Sequence, residues 1–312
     1  TGVQNTLIGG LAGDALTIGS YNTAVGYLAL STEDGHGYNT AIGREALKSL
    51  NAGSDAGNVA VGMQAGGEMT TGIRNTIVGT YAGDALTIGN FNVALGYHAL
   101  TTSVDGDANV AIGYEALGVY EDGDGNGHNT AVGFQSQTAA TTGEYNTSLG
   151  SQSMGTGATS GDHNIAIGYN AGAAITTSSR NTLVGGLAGD AITTGEENVA
   201  IGYLALSAED THGYNTAVGT YALTNQNAGA SGFNTSIGYY SGYWISTGTH
   251  NTLLGAYAGD NLTTGSYNVA IGHHTLGAEQ GYGKNVAIGY QALEQQNAGA
   301  DAYNVAIGYD AG

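Results

Sequence analysis

The chain has 312 residues, of which 56 are glycine and none is proline or cysteine. Without proline or glycine at every third position a collagen triple helix is excluded, and without cysteine so are disulfides, thiolate metal sites and cysteine nucleophiles. Twenty-five acidic against five basic residues leave a net charge of −20, which repels phosphate and disfavours nucleic acids and anionic membranes, while 41% hydrophobic and 10% charged residues describe a chain that folds.

From the first residues onward the sequence repeats the unit Asn-Thr-Ala-Val-Gly-Tyr-x-Ala-Leu. Its asparagine stands at Asn5, Asn22, Asn39, Asn58, Asn75, Asn92, Asn109, Asn129 and Asn146, and then at Asn164, Asn181, Asn198, Asn215, Asn234, Asn251, Asn268, Asn285 and Asn304. Of the 17 intervals between these 18 asparagines, 12 are 17 residues long and the rest 18 to 20, with the additions in the Gly/Ser/Asp-rich second half. Length varies where loops vary. A slower period is marked by Ala-Gly-Asp, ending at Asp14, Asp84, Asp190 and Asp260. These aspartates either pair with sparse cations such as Arg74 and Arg180 or end a strand. Residues 1–312 therefore read as one continuous repeat array, cut in mid-unit at both ends, an internal segment of a longer fibre. No apolar run reaches the roughly 20 residues of a membrane span, so no membrane insertion by this segment is expected.

Within each unit the residue one after the asparagine is threonine or β-branched, and the residue three after is Val, Ile or Leu, as in Val25, Ile42 and Ile307. That alternation predicts a strand. The residue before the asparagine shares its face and is often aromatic, as in Tyr21, Phe91 and Tyr267, while the opposite face carries Asn, usually Ala, then Gly. A face so smooth fits either a thin solenoid core or a tight contact between chains. A second, weaker extended segment is expected at Ala29-Leu30 and Ala205-Leu206. Two short strands and two turns per unit describe one coil of an all-β, parallel β-solenoid (β-roll or β-helix) of about 18 coils. The stacked asparagines then form a side-chain ladder or cap the turns.

The run Asn22-Thr-Ala-Val-Gly-Tyr-Leu-Ala29, with copies such as Asn198 to Ala205, resembles the head repeat of trimeric autotransporter adhesins of the Yersinia adhesin type. Similar repeats occur in bacteriophage tail fibres. The resemblance covers essentially the whole chain, although the coils here are longer than in the adhesin head and no stalk, neck or anchor accompanies them. It implies a left-handed β-roll, three chains associated as a homotrimeric rod, and a surface that binds host or matrix molecules at the outside of a cell or virion.

Catalysis needs a convergent acid, base or nucleophile set, and the eight histidines are scattered over loops and variable outer positions, so no enzyme is expected. His36 and His212 do occupy matching coils, within Glu33-Asp34-Gly35-His36 and Glu209-Asp210-Thr211-His212, and their repetition reads as loop architecture. The sharper metal signal is Asp122-Gly-Asp124-Gly-Asn126, which matches the first half of a Ca²⁺ loop, with Asp105 and Asp107 in the same loop column one coil earlier. Position twelve of that loop is Gly133 rather than a bidentate glutamate, so a solvated acidic loop competes with Ca²⁺ binding; no cofactor is required. Tyrosines directly after the repeated glycine, namely Tyr27, Tyr97, Tyr114, Tyr169, Tyr203, Tyr239, Tyr290 and Tyr309, could stack against sugars. Their plainer role is a cross-coil ladder.

These features read as a structural, extracellular fibre segment: a spacer and multivalent adhesive surface whose partners are copies of itself and a glycan or cell surface. The alternatives are a phage tail-fibre receptor-binding shaft and a monomeric ice- or lattice-binding solenoid. The last would use the threonine column Thr6, Thr23, Thr40, Thr76, Thr130 and Thr182, which Val59, Val93 and Val110 interrupt. Trimer formation is expected to cover the smooth Gly/Ala face.

Overall fold

The computed structural model describes residues 2–120 and 126–312. They fall into two compact units, Thr1–Ser160 and Gly161–Gly312. Each unit is a parallel β-solenoid, with no helix among the described residues. The first runs from β1 (Thr6–Ile8) to β9 (Thr147–Leu149) and the second from β10 (Ile165–Ile167) to β18 (Val305–Ile307), nine three-residue strands in each. Every strand starts one residue after a repeat asparagine. Register is uniform: Thr6 pairs with Thr23, Leu7 with Ala24 and Ile8 with Val25. The longer coils keep it, since Thr40 pairs with Val59 and Val110 with Thr130. The extra residues are therefore absorbed entirely in loops.

Side chains alternate across a strand, and here the middle one points inward: Ala24, Ala41, Ala94, Ala200 and Ala270 are fully buried. The smooth face is thus the thin core of each coil, not a surface for another chain. Its small residues face buried leucines from the far side, such as Leu30, Leu47, Leu100 and Leu206. The Ala-Gly-Asp units invert this arrangement. There the strand carries Leu7, Ile77, Leu183 or Leu253, and the far side carries Gly13, Gly83, Gly189 or Gly259. A Cβ on Gly189 would lie 2.8 Å from both Leu183 Cδ2 and Ile192 Cδ1. The slower period of the sequence is therefore a large-for-small exchange across a core of fixed width.

The far side is not a second strand. Leu28, Leu30, Leu204 and Leu206 are left-handed, with φ of 55°, 50°, 55° and 53°. The Leu28 N–H donates to the Gly10 carbonyl of the preceding coil at 3.1 Å, and the Leu30 N–H to Ala46 of the following coil at 3.0 Å. The Ala29 N–H between them bonds within its own coil, to the Gly26 carbonyl at 3.4 Å, so both neighbouring coils are reached without an extended leg. A left-handed non-glycine residue costs about 1 kcal/mol or more, which leucine burial offsets at roughly 1.5–3 kcal/mol.

The asparagines both link coils and cap turns. Asn58 Nδ2 donates to the Gly72 carbonyl at 2.8 Å, and Asn58 Oδ1 accepts the Asn75 N–H at 2.9 Å. The same pair of bonds joins Asn181 to Gly195 and Asn198. One amide side chain thus satisfies a carbonyl and an N–H of the chain entering the next coil, where a left-handed residue such as Tyr38 (φ 64°) or Lys284 (φ 66°) turns it into the strand. The strand exit requires glycine: at Gly26 (φ +138°) a Cβ would sit 2.4 Å from the Gly43 oxygen.

Candidate functional site

Because the small residues point inward, the bulky side of every strand points outward. Ile8, Ile42, Leu95 and Leu149 in the first unit and Ile167, Ile201, Ile237 and Leu254 in the second are all exposed. Threonines and valines run beside them in register, and the order Thr23, Thr40, Val59 shows the hydroxyl row interrupted as the sequence implies. Two aromatic columns border this apolar stripe. One is formed by the residues before the asparagines, with Tyr21 stacked on Tyr38 at 4.9 Å and Tyr214 on Phe233 at 5.1 Å.

The other column holds the tyrosines after the glycines, and all eight candidates, Tyr27, Tyr97, Tyr114, Tyr169, Tyr203, Tyr239, Tyr290 and Tyr309, are exposed. They are not equivalent. Tyr97 stacks on Tyr114 at 5.6 Å, Tyr114 on Phe134 at 5.3 Å, and Tyr290 on both His273 and Tyr309 at 5.5 and 5.1 Å. These rings form cross-coil ladders that occupy their faces. Tyr239 instead stands edge-on, at 63° to Tyr240 and 88° to Tyr257. Around it the aromatics widen into a patch that includes Tyr221, Tyr243 and Trp244, with Trp244 at 80° to Tyr243 and exposed. The sequence signal for that patch was the dense run Gly238-Tyr-Tyr-Ser-Gly-Tyr-Trp244, which column-by-column reading overlooks.

The Ca²⁺ loops are brought together in part. The Asp107 N–H donates to the Asn126 carbonyl at 3.3 Å, so the two loop columns are adjacent as expected. Asp107 Oδ1, however, already accepts the Asn90 N–H at 2.6 Å and Asn90 Nδ2 at 3.2 Å. Asp105 Oδ1 is buried without a protein partner. Asp122 and Asp124 lie outside the described residues.

The Ala-Gly-Asp aspartates pair with neither arginine. Arg180 bonds Glu196 and Glu197, and Arg74 lies 5.4 Å from the centre of the Phe91 ring. Asp190 Oδ1 accepts from Ser207 Oγ at 2.7 Å. Burial raises the carboxyls of Asp84, Asp190 and Asp260 above the usual range, partly opposed at Asp84 and Asp260 by His98 and His274.

A further set escaped prediction: Glu33, Glu209 and Glu279 are fully buried, each eleven residues after its asparagine. Each closes its own loop, with Oε1 accepting the N–H three residues on, from His36 at 3.0 Å, His212 at 3.1 Å and Tyr282 at 3.2 Å. Burial pushes Glu209 up to about 7 from its ordinary 4.5. No protein-family model and no curated protein matches the chain. Among the described residues no helix is long and apolar enough to cross a membrane.

Proposed function

We propose that this chain is a structural segment of an extracellular fibre, a homotrimer that serves as spacer and multivalent adhesive surface on a cell or virion. The observation that carries the reading is the outward apolar stripe from strand to strand within each unit, exposed at Ile8, Ile42 and Leu95 in the first and at Ile167, Ile201 and Leu254 in the second, in a chain whose net charge is −20. Contiguous apolar surface of this kind favours association, and the resemblance to trimeric adhesin heads and tail fibres supplies the number three. Association uses the bulky sheet face, since the smooth face is already core.

Adhesion is assigned to the surface that remains outside, with edge-on rings such as Tyr239 and Trp244 offering apolar faces to neutral sugars while acidic loops repel anionic polymers. Many weak sites repeated from coil to coil add avidity without a deep pocket. Sedimentation of the full chain is expected to give three copies per particle at micromolar concentration. Ile201→Lys with Leu254→Lys is expected to yield folded monomers with at least tenfold weaker binding to glycan-coated surfaces. A wild-type monomer, or surface binding undiminished in the monomeric variant, overturns the reading.

A further inference from the structure

We propose that the two Glu-Asp-x-His loops, Glu33 to His36 in the first unit and Glu209 to His212 in the second, each hold one divalent transition-metal ion of the zinc class. In each loop one ligand atom from the glutamate, the aspartate and the histidine lie within 4.8 Å of one another. Glu33 Oε1 and His36 Nδ1 are 3.4 Å apart, and Glu209 Oε1 and His212 Nδ1 3.5 Å. That is longer than the hydrogen bond such a pair would make. It matches two ligands of one tetrahedral ion, whose bonds of about 2.0–2.1 Å separate donors by roughly 3.4 Å.

Unpaired atoms point the same way. His36 Nδ1, Glu209 Oε2 and Asp210 Oδ1 are buried without a hydrogen-bond partner, and the Glu209 side chain has no exposure. Leaving a buried oxygen unpaired is costly, and a bound cation would remove that cost. The third glutamate supplies an internal contrast. Around Glu279 the aspartate and histidine are replaced by Gln280 and Tyr282, and there the protein satisfies Oε2 itself, through Gln296 Nε2 and the Ala298 N–H, both at 3.2 Å. Gln226, the counterpart of Gln296, leaves Nε2 unpaired and does not bond Glu209. At the first loop the Ala52 N–H gives Glu33 Oε2 a long bond of 3.3 Å.

One imidazole nitrogen with two carboxylates suits zinc, cobalt, nickel or manganese better than calcium, which prefers six to eight oxygens. The histidines are 31% and 25% exposed, leaving the open side of each ion to water. Thr211 Oγ lies 3.0 Å from His212 Nδ1 and competes for it, whereas in the first loop Gly35 stands in that place and the competition is for the glutamate, whose oxygens accept the Gly35, His36 and Ala52 N–H groups.

The test is calorimetric titration of the full chain with zinc chloride at pH 7.5 in a non-coordinating buffer. Two ions per chain are expected. His36→Ala should leave one ion, and His36→Ala with His212→Ala should leave none. Asp34→Asn, at an exposed side chain, should weaken the first site at least tenfold with the strand signature in circular dichroism unchanged. Glu196→Gln with Glu197→Gln, which removes exposed acids elsewhere, should change nothing. Absence of binding at 100 µM zinc, or two ions still bound by the double histidine variant, overturns the proposal. So does calcium binding at the same stoichiometry and unaffected by loss of the histidines. Stoichiometry per chain is read independently of oligomeric state, so failure of the fibre reading would not imitate failure here.

Discussion

The coils that begin at Asn198 and Asn268 share the pentapeptide Asn-Val-Ala-Ile-Gly and then diverge, to Glu209-Asp-Thr-His in one and Glu279-Gln-Gly-Tyr in the other. At the shared end their surroundings are also the same. An added Cβ would meet the next coil's backbone at 2.5 Å from Gly202 and 2.2 Å from Gly272. In the loops the same buried carboxylate has two donors to Oε2 in one coil and none in the other. The difference follows from what each part touches. The glycine at the strand exit packs against the backbone of the same glycine in the next coil, so it cannot change alone. A loop residue meets side chains that differ from coil to coil, so individual chemistry collects there.

Substituting one residue type in both regions tests this contrast most directly. Gly202→Ala should cost about 3–5 kcal/mol, because the obstacle is backbone and φ is +137°. Gly229→Ala, whose Cβ would meet nothing within 4 Å at φ +65°, should cost only about 1 kcal/mol. Urea midpoints compare the two, and equal losses would break the contrast.

Next in size is the exchange across the core. Leu183→Ala alone should lose about 2–5 kcal/mol and Gly189→Leu alone about 1–3 kcal/mol. Together they recreate the Ala200/Leu206 arrangement on a backbone already left-handed, with φ of 55° at Gly189 and 53° at Leu206. The double variant should therefore be more stable than the sum of the two by at least about 1 kcal/mol. Asn198→Ala should cost about 2–4 kcal/mol, since it removes the acceptor of the Asn215 N–H at 3.0 Å and the donor to the His212 carbonyl at 3.2 Å.

The loop's effect is smaller and depends on pH. With Glu209 raised from 4.5 to about 7, the folded chain holds that proton more tightly than the unfolded chain. Its contribution is full below pH 4.5 and is lost as pH rises through about 7, amounting at most to roughly 3 kcal/mol. Metal-free protein should be more stable at pH 5 than at pH 8, and Glu209→Gln should remove that increment. A Glu209→Gln profile that parallels the wild type would assign the pH dependence to other carboxyls.

Coil starts, strand positions and the placement of insertions were legible in the sequence because stacking makes each column a repeated letter, and a period of two within each unit names a strand. His36 and His212 were also visible as matching loop positions, but Glu33, Glu209 and Glu279 were not visible as buried groups. Their spacing from the asparagine marks a column, and nothing in a column says which way its side chain points.

The sequence by itself determined the repeat length, the parallel register and the need for glycine and asparagine at fixed places, since each is a condition every coil imposes on its neighbours. Tertiary structure decided which face lies inside, and it chose the small one because the left-handed leucine leg leaves room opposite it only for alanine, or for leucine where that leg carries glycine. It also decided the handedness of that second leg and the partners of the buried glutamates. Those depend on distances across the coil, between residues whose separation along the chain carries no periodic mark.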